Sequence, residues 1–132
     1  MGITVTTKLT GGKRIEASFD GFTVPTDMGP ACGGEGSAPE PFDYFFASLA
    51  TCSALYALNF CDARSIPTEG LSVTLQVEKD QEKGLWNDLT FEVKLPENFP
   101  VKYQKAIVKA INLCTVKKHI VNELNFNTKI VV

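Results

Sequence analysis

An α+β fold is predicted by three features of this chain of 132 residues. Two long apolar runs carry helical character. Several shorter segments alternate apolar and polar residues at period two, and Gly- and Pro-rich turns separate them. The order along the chain is ββ(β)-α-ββ-α-β, strands leading twice into a helix.

Residues 3–9, Ile-Thr-Val-Thr-Thr-Lys-Leu, alternate and are rich in β-branched types, so they read as a strand. Gly11-Gly12 signals a turn, and residues 13–19 return as the second half of a hairpin. Asp20-Gly21 closes that strand, and residues 22–24 read as a third short strand. From Pro25 to Pro41 the chain is crowded with Gly, Pro and small residues. A structureless stretch of about 16 residues is long for a compact domain, which makes it a candidate functional loop.

The first helix is expected from about Phe42 to Ala63, with Pro41 suiting its first position. Its apolar residues cover nearly the whole circumference as far as Phe60, the pattern of a helix buried on most sides. Residues 71–79 and 85–95 alternate cleanly as two strands about a turn at 80–84. Pro96 and Pro100 bracket the entry to a second, amphipathic helix spanning about 101–122, with Tyr103, Ile107, Ala110, Ile111, Cys114, Ile120 and Val121 at near-helical spacing. Residues 125–132 are expected to be a final strand.

The length fits one domain, 1–132. A net charge of −2 recommends no nucleic-acid or anionic-membrane partner. No apolar stretch reaches the length of a membrane span without polar interruptions. The N-terminus alternates like a strand and lacks the basic start of a signal peptide, so the expected location is cytoplasmic.

The four cysteines, Cys32, Cys52, Cys61 and Cys114, show neither a Cys-x-x-Cys pair nor zinc spacing. One histidine, His119, cannot build a histidine-rich metal site, and no metal or cofactor is expected. Structural disulfides are uncommon in a cytosolic chain of this size. The thiols are therefore either packing residues or redox-active. Cys61 lies nine residues after Cys52, about half a turn round the same helix, so those two face opposite sides. Cys61 reads as a packing residue and Cys32 as an incidental loop cysteine.

A reactive cysteine requires its thiolate. Cys114 has Lys117 and Lys118 one turn on, and either ammonium could favour the anion, although both also fit a solvated face. Cys52 has no cation on its own helix, and the nearest candidates are Lys13 and Arg14 on the first hairpin. Thiol hydrolase chemistry would need His119, which stands five residues and about 140° from Cys114, a poor disposition for a pair. Periodicity permits a Cys52/Cys114 dithiol without requiring one.

Two segments carry a family likeness. Pro41-Phe-Asp43-Tyr-Phe-Phe-Ala47-Ser-Leu49-Ala-Thr-Cys52 is similar to a pattern of Pro-x-acid-Leu-Leu-Leu-Ala-Ala-Leu-x-x-Cys. Cys114-Thr-Val116-Lys-Lys118-His-Ile120 is similar to Cys-x-Val-x-Lys-x-hydrophobic. Together, in this order and spacing, they resemble the OsmC-like family of osmotically inducible and organic hydroperoxide resistance proteins, as a divergent member.

That resemblance implies an intertwined α+β homodimer in which sheets from both subunits wrap around two central helices. It implies a thiol peroxidase that reduces organic hydroperoxides, with hydrogen peroxide as a further substrate. Cys52 would be the peroxidatic cysteine, Cys114 the resolving one, and an external dithiol, lipoyl-type in the hydroperoxide-resistance branch, the reductant. That branch orients its thiolate with a hairpin arginine, matched here by Arg14, and with a glutamate directly after the helix-one proline. Phe42 occupies the latter position. Asp43 matches the acidic position of the wider family, and Glu40 is a second carboxylate nearby. Asp43 also suits the first turn of a helix on electrostatic grounds alone. A non-catalytic small-molecule binder or redox sensor on the same fold is the competing reading.

Overall fold

The computed structural model describes residues 2–131. It divides into two compact units, Met1–Ala47 and Ser48–Val132.

The first unit is built on an antiparallel meander of β1 (Thr6–Gly11), β2 (Arg14–Phe19) and β3 (Phe22–Thr26), in that spatial order. Asp20 and Gly21 join β2 to β3 with φ of 48° and 79°, the two positive values that a tight hairpin matched to strand twist requires. β1 starts at Thr6 rather than at residue 3, because Thr6 already pairs with Ser18, one residue short of the turn that ends β2. Little of the partner strand remains to receive Ile3–Val5. Pro25 is tolerated in β3 because that strand lies at the sheet edge.

Helix α1 (Pro41–Ala63) follows within one residue of its expected bounds. Its C-terminus closes by two bonds: Ser65 N–H to Asp62 O at 3.2 Å and Ile66 N–H to Cys61 O at 2.9 Å. Ser65 takes φ 53° there, the left-handed conformation of a Schellman cap. Arg64 donates to Phe60 O at 3.1 Å and lays its guanidinium 3.6 Å over the Phe60 ring.

The second unit adds an antiparallel hairpin, β4 (Ser72–Lys79) and β5 (Trp86–Lys94). Val73↔Val93, Leu75↔Phe91 and Val77↔Leu89 pair on its apolar face. The core is Ala57, Phe60, Cys61, Phe99, Ile107 and Ile111, with Ile66, Leu71, Val73 and Val93 among the side chains packed on it.

The expected single helix over about 101–122 is not formed. A 3-10 turn at Val101–Tyr103 leads into α2 (Gln104–Ile111), and α3 (Thr115–Ile120) is separate. Leu113 and Cys114 bond back to Ala110 and Ile111, three residues each, which tightens and ends α2. Cys114 is then extended (φ −56°, ψ 143°) and caps α3. Ile107, Ile111 and Cys114 are all buried, so apolar spacing persists through a break that periodicity cannot register.

The expected strand over 125–132 is also not formed among residues 125–131; Val132 lies outside the described residues. Phe126, Ile130 and Val131 stand exposed with no ladder partner among the described residues.

Candidate thiol site

The site is assembled from α1, the α2–α3 break and β5. Cys52 is half-buried on α1. Tyr56, four residues on, shares its helix face. The Tyr56 hydroxyl and Thr115 Oγ1 share a hydrogen bond of 2.8 Å. Thr115 directly follows Cys114, so this bond ties the helical turn of Cys52 to the break that carries the second thiol.

Cys114 is fully buried, and its Sγ accepts the Lys117 backbone N–H at 3.4 Å. The Lys117 side chain places its ammonium 3.7 Å above the Phe91 ring of β5. Its Nζ is out of solvent contact and has no hydrogen-bond acceptor among the described residues. Burial pushes the Lys117 ammonium's pKa down, while Cys114 and Cys52 both pull it back up. All four cysteines are free. Cys61 sits on the core side of α1, and burial, with Asp62 adding to it, pushes its thiol pKa up. A thiol of that kind is chemically quiet.

Arg14 and Asp43 belong to the first unit. Arg14 holds Glu35 Oε2 at 3.4 Å and donates to Thr10 O at 3.4 Å. Asp43 Oδ2 accepts the Glu40 N–H at 2.9 Å, the return half of a capping box at the start of α1. Glu40 Oε2 accepts the Gly29 N–H at 2.9 Å. Both carboxylates therefore have structural work in the 27–40 loop and the first turn of α1.

That loop is organised around Asp27, a residue whose role the sequence pattern did not single out. Its carboxylate is buried and accepts from Ser37 Oγ (2.6 Å) and from the N–H groups of Met28 (2.8 Å), Ser37 (3.0 Å) and Glu35 (3.3 Å). Gly34 passes so close that a Cβ there would collide with the Met28 carbonyl. The Ser37 hydroxyl, followed by the backbone donors, lowers the Asp27 pKa from 3.8 to about 2. A depressed carboxyl contributes stability that is complete above its unfolded value and is lost as pH falls from 3.8 toward 2. The Asp27 carboxyl carbon is accordingly expected to titrate with a midpoint about 2 by NMR. Asp27→Ala is expected to speed amide exchange at Met28, Glu35 and Ser37 at neutral pH. A midpoint near 3.8, or unchanged exchange, would dismiss the loop's dependence on this carboxylate.

Among the described residues, no group of three or more His, Cys, Asp or Glu side chains could hold a metal ion. Besides Asp27, two features were not legible beforehand: Tyr56, whose only signal was its place four residues past Cys52, and Phe91, which reads simply as a strand residue.

A mixed α+β protein with one free thiol on α1 and a second at the α2–α3 break, the two segments tied through Tyr56 and Thr115, is the class that this fold and site define. The family model described as OsmC-like protein matches residues 34–129, and the chain belongs to that family. Three solved structures show the same fold at low identity. One is an osmotic stress induced and detoxification response protein from Psychrobacter arcticus 273-4 (20% identity, TM-score 0.76, covering 90% of this chain and 89% of that one). Another is an OsmC-like protein from Mycoplasma pneumoniae (17%, TM-score 0.68, 92% and 88%). A third is an organic hydroperoxide resistance protein from Legionella pneumophila (22%, TM-score 0.56, 89% and 88%). No curated protein sequence matches.

Proposed function

We propose that this protein is a cysteine-based peroxidase that reduces organic hydroperoxides, and hydrogen peroxide as a second substrate, through a Cys52/Cys114 cycle. The observation that carries the reading is the 2.8 Å Tyr56–Thr115 hydrogen bond, which ties the helical turn of Cys52 to the break that carries Cys114. Family membership and the neighbours described as organic hydroperoxide resistance proteins support the substrate class.

In this cycle the Cys52 thiolate attacks the O–O bond of ROOH. The outer oxygen passes to sulfur as a sulfenic acid, and the remaining alkoxide leaves as ROH after taking a proton. The Cys114 thiol condenses with that sulfenic acid, releasing water and forming the disulfide. An external dithiol, lipoyl-type in this reading, restores both thiols by exchange and leaves as its own disulfide. Arg14 and Asp43 are proposed to orient the reacting end, beyond the structural bonds they make to Glu35 and Glu40 N–H.

The working form in this proposal is a cytoplasmic homodimer of single 1–132 domains. Helix α1 supports the dimer. It is the one described helix long and apolar enough to cross a membrane, yet only 28% of its most apolar window is buried. Leu55 and Leu58 are open beside a groove of about 350 Å³ lined also by Thr51, Ala54, Leu71 and Val73. An apolar helix left this open calls for a protein partner. Sedimentation should give twice the chain mass at micromolar concentration; a monomer there would remove the dimer.

A second reading, a binder or slow redox sensor, is favoured by Phe42 directly after Pro41, where the peroxidase branch carries glutamate. One experiment separates the two. Reduced protein is mixed with stoichiometric cumene hydroperoxide, alkylated, digested and mapped. A Cys52–Cys114 disulfide formed within seconds supports the peroxidase. Thiols that stay free for many minutes overturn it in favour of binding or sensing.

A further inference from the structure

Helix α3 is held at its start by a sulfur. The Lys117 N–H lies in the first turn, where no helical carbonyl is available to it. Cys114 Sγ accepts it at 3.4 Å. The helix has few other supports among the described residues. At six residues it is too short to be stable on propensity alone, and no residue of it is buried. Beyond it Val121, Leu124, Phe126 and Ile130 stand exposed, with no ladder partner among the described residues. Side chains reach it from β5, where Phe91 lies under the Lys117 ammonium, and from α1, where Tyr56 bonds Thr115. The sulfur that closes this helix belongs to one of the two cysteines of the proposed cycle.

We infer that Cys114 is a redox-sensitive cap: its reduced thiol closes the start of α3, and a disulfide with Cys52 withdraws that sulfur and frees the first turn. This rests on the reading of Cys52 and Cys114 as an oxidisable pair. In the step, the Cys114 thiol attacks the sulfur of the Cys52 sulfenic acid. The S–O bond breaks, the S–S bond forms, and the oxygen leaves as water with the thiol proton. A disulfide holds its two sulfurs about 2 Å apart at a restricted torsion. Cys114 Sγ must then sit where Cys52 requires, and the Lys117 N–H loses its acceptor. The Tyr56–Thr115 bond uses neither sulfur, so the tie between α1 and the break persists while the cap is lost. The change is an order-to-disorder transition confined to α3. It bears on the cycle because Cys114 is fully buried in the reduced form. Fraying of α3 opens the oxidised sulfur to the external dithiol, whose attack depends on access. Reduction restores the cap and closes the site again.

The test follows amide hydrogen exchange by NMR in the full chain, reduced and oxidised. The reporters are Lys117, bonded to the cap sulfur, Lys118, bonded to Cys114 O, and Val121, bonded to Lys117 O. Ile107 and Ile111 of α2 are the reference. Diamide is the oxidant: its azo group takes the thiol hydrogens and becomes a hydrazine as the disulfide forms, so no peroxide chemistry is needed. Peptide mass maps the Cys52–Cys114 bond. Oxidised wild type is expected to exchange at least about fivefold faster at the three reporters, the factor that loss of an N-cap acceptor implies, with α2 unchanged. Reduced Cys114→Ala should show the same rise without oxidant. Cys114→Ser, whose hydroxyl keeps the cap, should hold the reduced wild-type rates with and without diamide. Reduced-state exchange at the reporters in the oxidised protein overturns the inference. A rise spread equally over α2, or failure of diamide to join Cys52 to Cys114, also overturns it. Should Cys114→Ala not fold, reduced against oxidised wild type decides alone. A diamide-made disulfide that frees α3 in a protein inert to cumene hydroperoxide removes the peroxidase and leaves the cap switch in place. A rapid peroxide-made disulfide with α3 unchanged removes the switch and leaves the peroxidase.

Discussion

Cys52→Ser is expected to abolish consumption of cumene hydroperoxide, with a loss of at least about 10³-fold in second-order rate, because a serine hydroxyl is barely ionised near neutral pH and is a weak nucleophile toward peroxide oxygen. The fold should hardly register the change. Cys52 is half-buried, in the middle of α1, and the tie to the α2–α3 break is made by Tyr56 and Thr115 rather than by the thiol. The variant thus separates chemistry from stability. Cys32→Ser, in the exposed loop, is the matching control and should retain wild-type turnover. Coupled consumption assays with a lipoyl-type dithiol read both. Multi-turnover activity in Cys52→Ser at the wild-type rate would sink the peroxidase assignment.

The parts of the fold legible in the sequence are those set by local rules. An all-round apolar run opened by a proline becomes α1 within one residue of its expected start. Asp20-Gly21 makes the turn its chemistry demands. The period-two runs become β4 and β5. The failures share a cause, which is that the deciding interaction is not periodic. Cys114 ends one helix and caps the next through its own sulfur, while the apolar spacing of Ile107, Ile111 and Cys114 continues undisturbed. Residues 125–131 have strand composition but no partner strand among the described residues. Asp27 looks like one more small polar loop residue until its four donors are seen converging on it.

The site divides in the same way. Cys52, Cys114 and the closeness of Lys117 to Cys114 could be read from spacing. That the Lys117 amine lies over Phe91 and has no hydrogen-bond acceptor among the described residues could not, because those facts need separate elements brought together. For Arg14 and Asp43 the sequence offered two roles each. The bonds within the first unit supply the structural one: an ion pair with Glu35 for the arginine and a cap on Glu40 for the aspartate.

Cys114→Ser is expected to allow one turnover and then stop, leaving Cys52 as a sulfenic acid that dimedone traps at one equivalent per chain. Serine is an unusually clean replacement at this position. Cys114 is the N-cap of α3, its sulfur accepting the Lys117 N–H at 3.4 Å, and serine oxygen is among the preferred N-cap acceptors. The helix start should survive, whereas Cys114→Ala would forfeit the cap at a cost of about 1 kcal/mol. Serine also keeps the buried site nearly filled, and the hydroxyl it introduces finds the same backbone donor. Loss of turnover in this variant would therefore trace to the missing resolving thiol and not to a melted α3. Steady-state peroxide consumption should fall to background while the first, stoichiometric burst remains. Sustained turnover at the wild-type rate in Cys114→Ser would mean that the external thiol resolves the Cys52 sulfenic acid directly. The protein would then be a one-cysteine peroxidase in which Cys114 serves as the cap of α3.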